Sequence, residues 1–353
     1  MRIGIAGAGL LGRLLATQLA HDRHSVDVFD PAADVEARGA AGWTAAGMLS
    51  PVAELECADE AVFSMGLRSL VLWPKIIEKL NQPVEIRQHG SLLVAHRGDA
   101  GAAARVIDLL RRKAPATHAP RRVEAAELLA LEPAVQGLAH VWHLPCEGQI
   151  DTVQAMAALA AAATAGGVRW HWGMTVLDAS AGALLCADGL HKFDWVFDVR
   201  GTGARPQVAV RGVRGEIFSL HAPGLQLLRP VRLLHPRHRV YLVPRAGDVV
   251  IVGASEIESE DRSPVSLRST VELLAAAHSV VPELAEARLL RCETNLRPAL
   301  PDNLPVIVYG EGITRINGLF RHGWLLAPAL VERALSYIPE AASLPAKPKN
   351  YCS

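Results

Sequence analysis

The first thirty residues constrain the fold more than any later stretch. "RIGIAG" reads as a short apolar strand, Gly7, Gly9 and Gly12 fall in the spacing G-x-G-x-x-G, and "LLGRLLATQLAHD" puts Leu10, Leu14, Leu15 and Leu19 near helical spacing on one face. "SVDVFD" then alternates into a second strand ending at Asp30. Strand, glycine turn, helix, strand and acid in this order make the βαβ unit of a dinucleotide-binding fold. Gly7 permits the tight turn, Gly9 lets the backbone approach a pyrophosphate, and Gly12 lets helix and strand pack closely. The helix N-terminus offers free N–H groups to phosphates. Asp30 lies eighteen residues beyond Gly12, near the ~20 expected of an acid that bonds ribose hydroxyls. An acid there argues against a 2′-phosphate and hence against NADP. On the motif alone, FAD and NAD both stay open.

The rest of the chain does not continue the strand and helix alternation of a nicotinamide-type domain. A loop of small residues, "RGAAGWTAAGMLSP", leads to a long helical stretch from about Glu60 to Leu80, and "VEIRQHGSLLVAH" reads as a pair of strands. Helical pieces follow near Ala100 to Arg112 and Val123 to Leu131. "IDTVQAMAALAAAATAGG" is a helix with Asp151 as N-cap and Gly166-Gly167 as its stop. Strands then close on a second glycine turn at Gly201 and Gly203. From "VRGEIFSL" to "CETNLRP" the chain leaves again for strands joined to one helix, Ser266 to Val280, and "RINGLFRHGWLLAPALVERAL" ends as strand, turn and helix. The expected fold is α/β: a discontinuous Rossmann-like domain (1–84, 147–212 and 300–353) with an inserted α+β domain (85–146 and 213–299) on a mixed, largely antiparallel sheet. The proline-bearing tail from Pro339 reads as loosely held.

A length of 353 residues suits about two domains with buried cores. Lys plus Arg and Asp plus Glu both number 36, with no long run of either sign, which argues against nucleic acid as a partner. The five cysteines (57, 146, 186, 292 and 352) are scattered without metal-ligand spacing and read as reduced thiols of a cytoplasmic protein. No window approaches the roughly twenty apolar residues of a bilayer span. "HPRH" (235–238) and "WHW" (170–172) lack acid or cysteine companions, so no metal site is expected.

"GWTAAGMLSP" (42–51), "VRGE" (213–216), "VYLVPR" (240–245), "VGAS" (252–255), "LRPALPDNLPVI" (296–307) and "NGLFRHGWLLAPAL" (317–330) occur in this order across nearly the whole chain. Together they resemble the D-amino-acid oxidase superfamily of flavoproteins, and within it the glycine oxidases of thiamine biosynthesis. The resemblance implies FAD rather than NAD. It puts Gly7, Ala8, Gly9, Leu10, Leu11 and Gly12 on the pyrophosphate, Asp30 and Pro31 at the adenosine ribose, and Val176 at the adenine. Gly42, Ala45, Ala46, Gly47 and Met48 would lie along the flavin, with Gly201 and Gly203 in the second turn. Leu319, Phe320, Arg321, His322, Gly323, Trp324 and Leu325 would pass beneath the flavin's pyrimidine edge. Pro328 reads as part of the first turn of the last helix, aiming that helix's N-terminus at the ring. The cysteine that carries a covalent flavin in sarcosine-oxidising relatives is matched here by Asn295, which implies noncovalent FAD.

The same resemblance assigns Arg297 and Tyr241 to the substrate carboxylate and Arg321 to the vicinity of the amine. A guanidinium suits a carboxylate because its planar fork makes two parallel bonds. The implied reaction is hydride transfer from the α-carbon of glycine or another small amino acid to flavin N5, giving a 2-oxo acid (glyoxylate from glycine), ammonia and, with molecular oxygen as acceptor, peroxide. A D-amino-acid or secondary-amine oxidase or dehydrogenase, a NAD-dependent reductase and a non-catalytic nucleotide binder are the alternatives. A homo-oligomer is left open. Gly42, Glu256 and Arg239 depart from the glycine-oxidase pattern, and Glu256 bears on the substrate.

Overall fold

Strand Arg2–Ala6 forms the middle of a six-stranded sheet ordered Val306–Gly310, Ile313–Asn317, Trp195–Asp198, Arg2–Ala6, Ser25–Asp30, Arg169–Trp172. The last five are mutually parallel and the first is an antiparallel edge. This computed structural model describes residues 1–236 and 239–338. The tail from Pro339 and the second half of "HPRH" lie outside the described residues. Between the first two strands Gly7 adopts φ +103°, a region open to glycine at little cost. Helix Leu10–His21 follows it and buries Leu10, Leu11, Leu14, Leu15 and Leu19. A Cβ at Gly12 would lie 1.9 Å from the Gly7 carbonyl oxygen, so a side chain there would push the helix off the turn.

The second sheet has eight strands, in the order Arg288–Ala299, Arg211–His221, Val249–Gly253, Arg239–Arg245, Val231–Leu234, Ser91–Ala95, His140–Leu144, Arg121–Arg122. All neighbours are antiparallel except Val231–Leu234 with Ser91–Ala95. Alternation divides its two faces. Phe218, Leu220, Val240, Leu242, Val250 and Val252 pack with Leu273, Ala277 and Val280 of helix Leu267–Val280. In the intervening register Arg232 pairs Tyr241, Tyr241 pairs Gly253 and Gly253 pairs Ile217, a row that carries the polar side chains Arg232 and Tyr241. The two strands of "VEIRQHGSLLVAH" do not form a hairpin. Ile86–Arg87 pairs with Gly148–Ile150 in a small sheet with Met48–Leu49, whereas Ser91–Ala95 joins the large one.

Two helices carry internal prolines and meet the cost in the same way. Proline has no N–H, so the carbonyl four residues earlier loses its helical donor. In Glu60–Ile77, Pro74 frees the Leu70 carbonyl, which accepts from Gln88 Nε2 (2.7 Å). In Gly323–Leu335, Pro328 frees the Trp324 carbonyl, which accepts from Trp73 Nε1 (2.9 Å). This corrects the expectation for Pro328: the helix starts at Gly323, so Pro328 is its sixth residue and lies beyond the first turn. Asp151 caps helix Thr152–Ala165 through bonds from Val153 N and Gln154 N (both 3.0 Å). Among the described residues no helix is long and apolar enough to cross a membrane.

Trp73→Phe keeps a ring at this fully buried position but leaves the Trp324 carbonyl without a donor. It is expected to cost about 1–3 kcal/mol of stability, read as a lowered midpoint of urea unfolding with unchanged secondary structure by circular dichroism.

Candidate active site

A cavity of about 1370 Å³ runs between the two sheets, from the glycine turn to the polar row of the large sheet. That exceeds the ≈ 300–1,000 Å³ of an ordinary small-ligand pocket. At the nucleotide end it is lined by residues 7–11, 30–32, 176 and 199–203. Asp30 is already bonded: Oδ2 accepts from Ala8 N (2.6 Å) and Oδ1 from Ala32 N (2.8 Å), so the acid ties the second strand to the glycine turn. Gly12 lies under the turn and does not line the cavity. The Val176 side chain belongs to a small core and its carbonyl accepts from Arg200 NH1 (2.9 Å). Gly201 is held through its carbonyl by Asn317 Nδ2 (3.0 Å).

Arg13 interrupts the apolar stretch "GLLGRLLATQLA" and no motif gives it a role. It is 1 % exposed, and its guanidinium donates to the carbonyls of Ala8 (2.9 Å), Met156 (2.8 Å) and Val35 (2.8 Å) while standing 4.9 Å from the Trp43 ring centroid. Burial lowers its pKa to about 10 against the attraction of Asp30. One side chain thereby clamps the turn, the loop after the second strand and helix Thr152–Ala165.

In the small-residue loop, three successive carbonyls are anchored from behind. Ala45 O accepts from the Thr152 hydroxyl (3.0 Å), Ala46 O from the Arg245 guanidinium and Gly47 O from Ile150 N (2.9 Å). Gly47 has φ +67°, and a Cβ there would lie 2.1 Å from the Ile150 carbonyl. Gly42 O accepts from Trp324 Nε1 (3.1 Å). Gly42, residues 45–48 and residues 319–325 all line the cavity's middle. At the start of helix Gly323–Leu335, the first amides have no partner within the helix. Asn295 is buried, its amide donating to Arg38 O, Ala40 O and Thr44 Oγ1 (3.1–3.2 Å), so it moors the loop to the large sheet.

Beyond the middle stand Tyr241, Arg297 and Arg321. The space for the first two is made by absent side chains: a Cβ at Gly215 would fall 2.6 Å from the Arg297 guanidinium, and one at Gly253 2.8 Å from the Tyr241 hydroxyl. Arg297 NH1 donates to the carbonyls of Ser255 (3.0 Å) and Arg214 (3.3 Å). Among the described residues no carboxylate lies within ion-pair distance of it. Burial lowers the Arg297 pKa, opposed by Tyr241 and Glu256. Burial pushes the Tyr241 phenol up, with Arg297, Arg232 and Arg321 opposing.

The organising acid is Glu54, which the motif reading missed. Its Oε1 accepts from Arg232 NH2 (2.7 Å), and its Oε2 lies 3.2 Å from both Arg321 Nε and His322 Nδ1. Burial raises its pKa, but Arg321, Arg232 and His322 together outweigh that and hold the carboxyl well below its usual range. Arg321 is raised in turn, chiefly by Glu54. The three partners are 178 to 268 residues away along the chain, so no local pattern marks the site. Outside the cavity lining, the strands after Val176 gather Cys186, Asp188 and His191 with ligand atoms within 4.8 Å, a grouping that neither "HPRH" nor "WHW" signals.

A dinucleotide cradle under a mixed sheet that presents an unneutralised arginine defines a flavoenzyme-like class of oxidoreductase. The family model described as FAD dependent oxidoreductase matches residues 2–334, and the chain belongs to that family, with FAD as its cofactor. A Rhizobium etli protein named as the thiamine biosynthesis oxidoreductase ThiO is 36% identical over 332 residues, 94% of each chain. A glycine oxidase of Geobacillus kaustophilus is 26% identical, covering 92% of this chain and 89% of its own. The crystal structure of glycine oxidase from the same organism superposes with a TM-score of 0.82, covering 95% of this chain and 94% of that one. The residues here fit FAD: the turn cannot hold a Cβ at Gly12, Gly47 cannot hold one against Ile150, and the cavity joins the turn to Arg297 without interruption.

Glu54→Gln leaves two guanidinium groups short of a buried charge. Removing one partner of such a cluster is expected to cost about 3–5 kcal/mol at neutral pH. Because the folded carboxyl sits below its unfolded value, this contribution is fully present above the ordinary glutamate pKa and is lost as pH falls. The gap between wild-type and variant melting temperatures is therefore expected to stay constant from pH 7 down to the ordinary glutamate pKa and to narrow only below it, measured by scanning calorimetry.

Proposed function

We propose that this chain oxidises glycine, or another small amino acid, to the 2-oxo acid with release of ammonia and peroxide, in thiamine (thiazole) biosynthesis. The observation that carries the reading is Arg297, a guanidinium with no carboxylate partner among the described residues, set beside the Tyr241 hydroxyl at the far end of a dinucleotide cavity. The full-length likeness to proteins named ThiO and glycine oxidase supports the same substrate. Segments 1–84, 147–212 and 300–353 would hold FAD, and 85–146 with 213–299 the substrate. Among the described residues no cysteine lines the cavity, which supports noncovalent FAD.

FAD, when bound, supplies a hydride acceptor at N5 and a route for the electrons to molecular oxygen. The side chains supply binding and orientation. Arg297 takes the substrate carboxylate with two parallel bonds, and the Tyr241 hydroxyl donates to the same group. The Arg321 guanidinium is held by Glu54 and Glu256, so its main-chain carbonyl is the part offered to the amine. Residues 7–11 would take the pyrophosphate and the free amides of 323–325 the pyrimidine edge. No side chain is assigned as a base, since the amine can shed its proton on binding.

Arg297→Met is expected to keep the yellow colour of bound FAD and to weaken binding of acetate by about 2–5 kcal/mol, read from the visible flavin spectrum during titration. Anaerobic glycine is expected to bleach the wild-type protein. Failure to bleach, or unchanged acetate affinity in the variant, overturns the assignment.

A further inference from the structure

We propose that Glu256 sets the substrate class of this cavity, by occupying Arg321 so that the site accepts amino acids with one carboxylate and refuses those with two. The proposal rests on the reading of the cavity as an amino-acid site.

Arginines 232, 239, 297 and 321 and glutamates 54, 56 and 256 line the same cavity as Tyr241. Three of the four cations are matched. Arg232 meets Glu54 at 2.7 Å, Arg239 meets Glu56 at 3.3 Å, and Arg321 meets Glu54 at 3.2 Å and Glu256 at 3.4 Å. Arg297 is the guanidinium in excess, which suits a single carboxylate. The next cation a ligand could recruit is Arg321, because Glu54 divides its two oxygens among Arg232, Arg321 and His322 and cannot saturate it. Glu256 completes that saturation from the mouth.

The sequence order gives this division its geometry. Ser255 holds Arg297 through its carbonyl while the next residue, Glu256, holds Arg321 through its side chain. One short segment thus leaves one arginine open to a ligand and closes the other. The Glu256 side chain is 47% exposed, and an exposed pair adds little to stability, so its effect falls on the ligand. A second carboxylate approaching Arg321 would have to displace Glu256 and lie beside its negative charge, and such like-charge opposition is a general means of rejecting wrong ligands. Glycine and sarcosine avoid that penalty, whereas iminodiacetate does not.

The test uses the holoenzyme and needs no turnover. Acetate and malonate are titrated against the visible flavin spectrum of wild type, Glu256→Gln, Glu256→Ser and the double variant Glu256→Gln/Arg321→Met. In both single variants the malonate-to-acetate affinity ratio is expected to rise fivefold or more, and the double variant is expected to lose that gain. The ratio of kcat/KM for iminodiacetate over glycine is expected to rise with it. A smaller rise in the affinity ratio, or a gain that survives in the double variant, overturns the proposal. Should the affinity ratio move as expected in a protein that does not oxidise glycine, the proposal stands and the functional reading falls. Should glycine be oxidised while the affinity ratio stays put, the reverse holds.

Discussion

A single buried carboxylate, Glu54, links the parts of this molecule that must stay in register. It sits just after the small-residue loop, on the short helix Pro51–Glu54, and answers to Arg232 on the large sheet and to Arg321 and His322 at the start of the last helix. Carboxylate and guanidinium groups taken out of water are costly apart and favourable only together. The cluster therefore forms only when all three segments have come together at the middle of the cavity. It also fixes which face of residues 319–325 looks into that cavity.

Much of the site's shape comes from side chains that are missing. Gly215 and Gly253 are strand residues, where glycine usually weakens a sheet. Here each leaves the volume that a functional group fills: the Arg297 guanidinium over one, the Tyr241 hydroxyl over the other. Gly12 serves the glycine turn in the same manner, by letting a helix rest against the Gly7 carbonyl. The opposite device appears at Arg13, where a large buried cation joins three backbone segments through carbonyls alone. Shape at one end of the cavity and tethering at the other together keep the route between them open.

The last helix shows how tertiary contacts rescue a locally unfavourable sequence. Pro328 in mid-helix would break an isolated segment. Trp73 repairs it by donating to the freed carbonyl, and Ser69 accepts from Ala329 N (3.2 Å) on the same packed surface. The helix can then begin at Gly323, inside the cavity lining, and keep its first amides there. Pro74 and Gln88 repeat the arrangement in the partner helix. The first repair joins residues 251 apart in the chain, the second residues 18 apart.

What the chain determined by itself was local in origin. The glycine turn, its helix, the second strand and Asp30 are adjacent, and their order is enough to specify a βαβ dinucleotide unit. The helix capped by Asp151 and the alternating strands that bear Tyr241 and Arg297 were legible for the same reason, because their signals repeat over a few residues. Tertiary structure alone decided that "VEIRQHGSLLVAH" would feed two sheets and that Pro328 would lie inside its helix. It also decided that Glu54, Arg13, Gly215 and Gly253 would shape the site. Their partners lie far off in sequence or across a strand register, and a charge or a missing Cβ acquires meaning only from the atom folded against it.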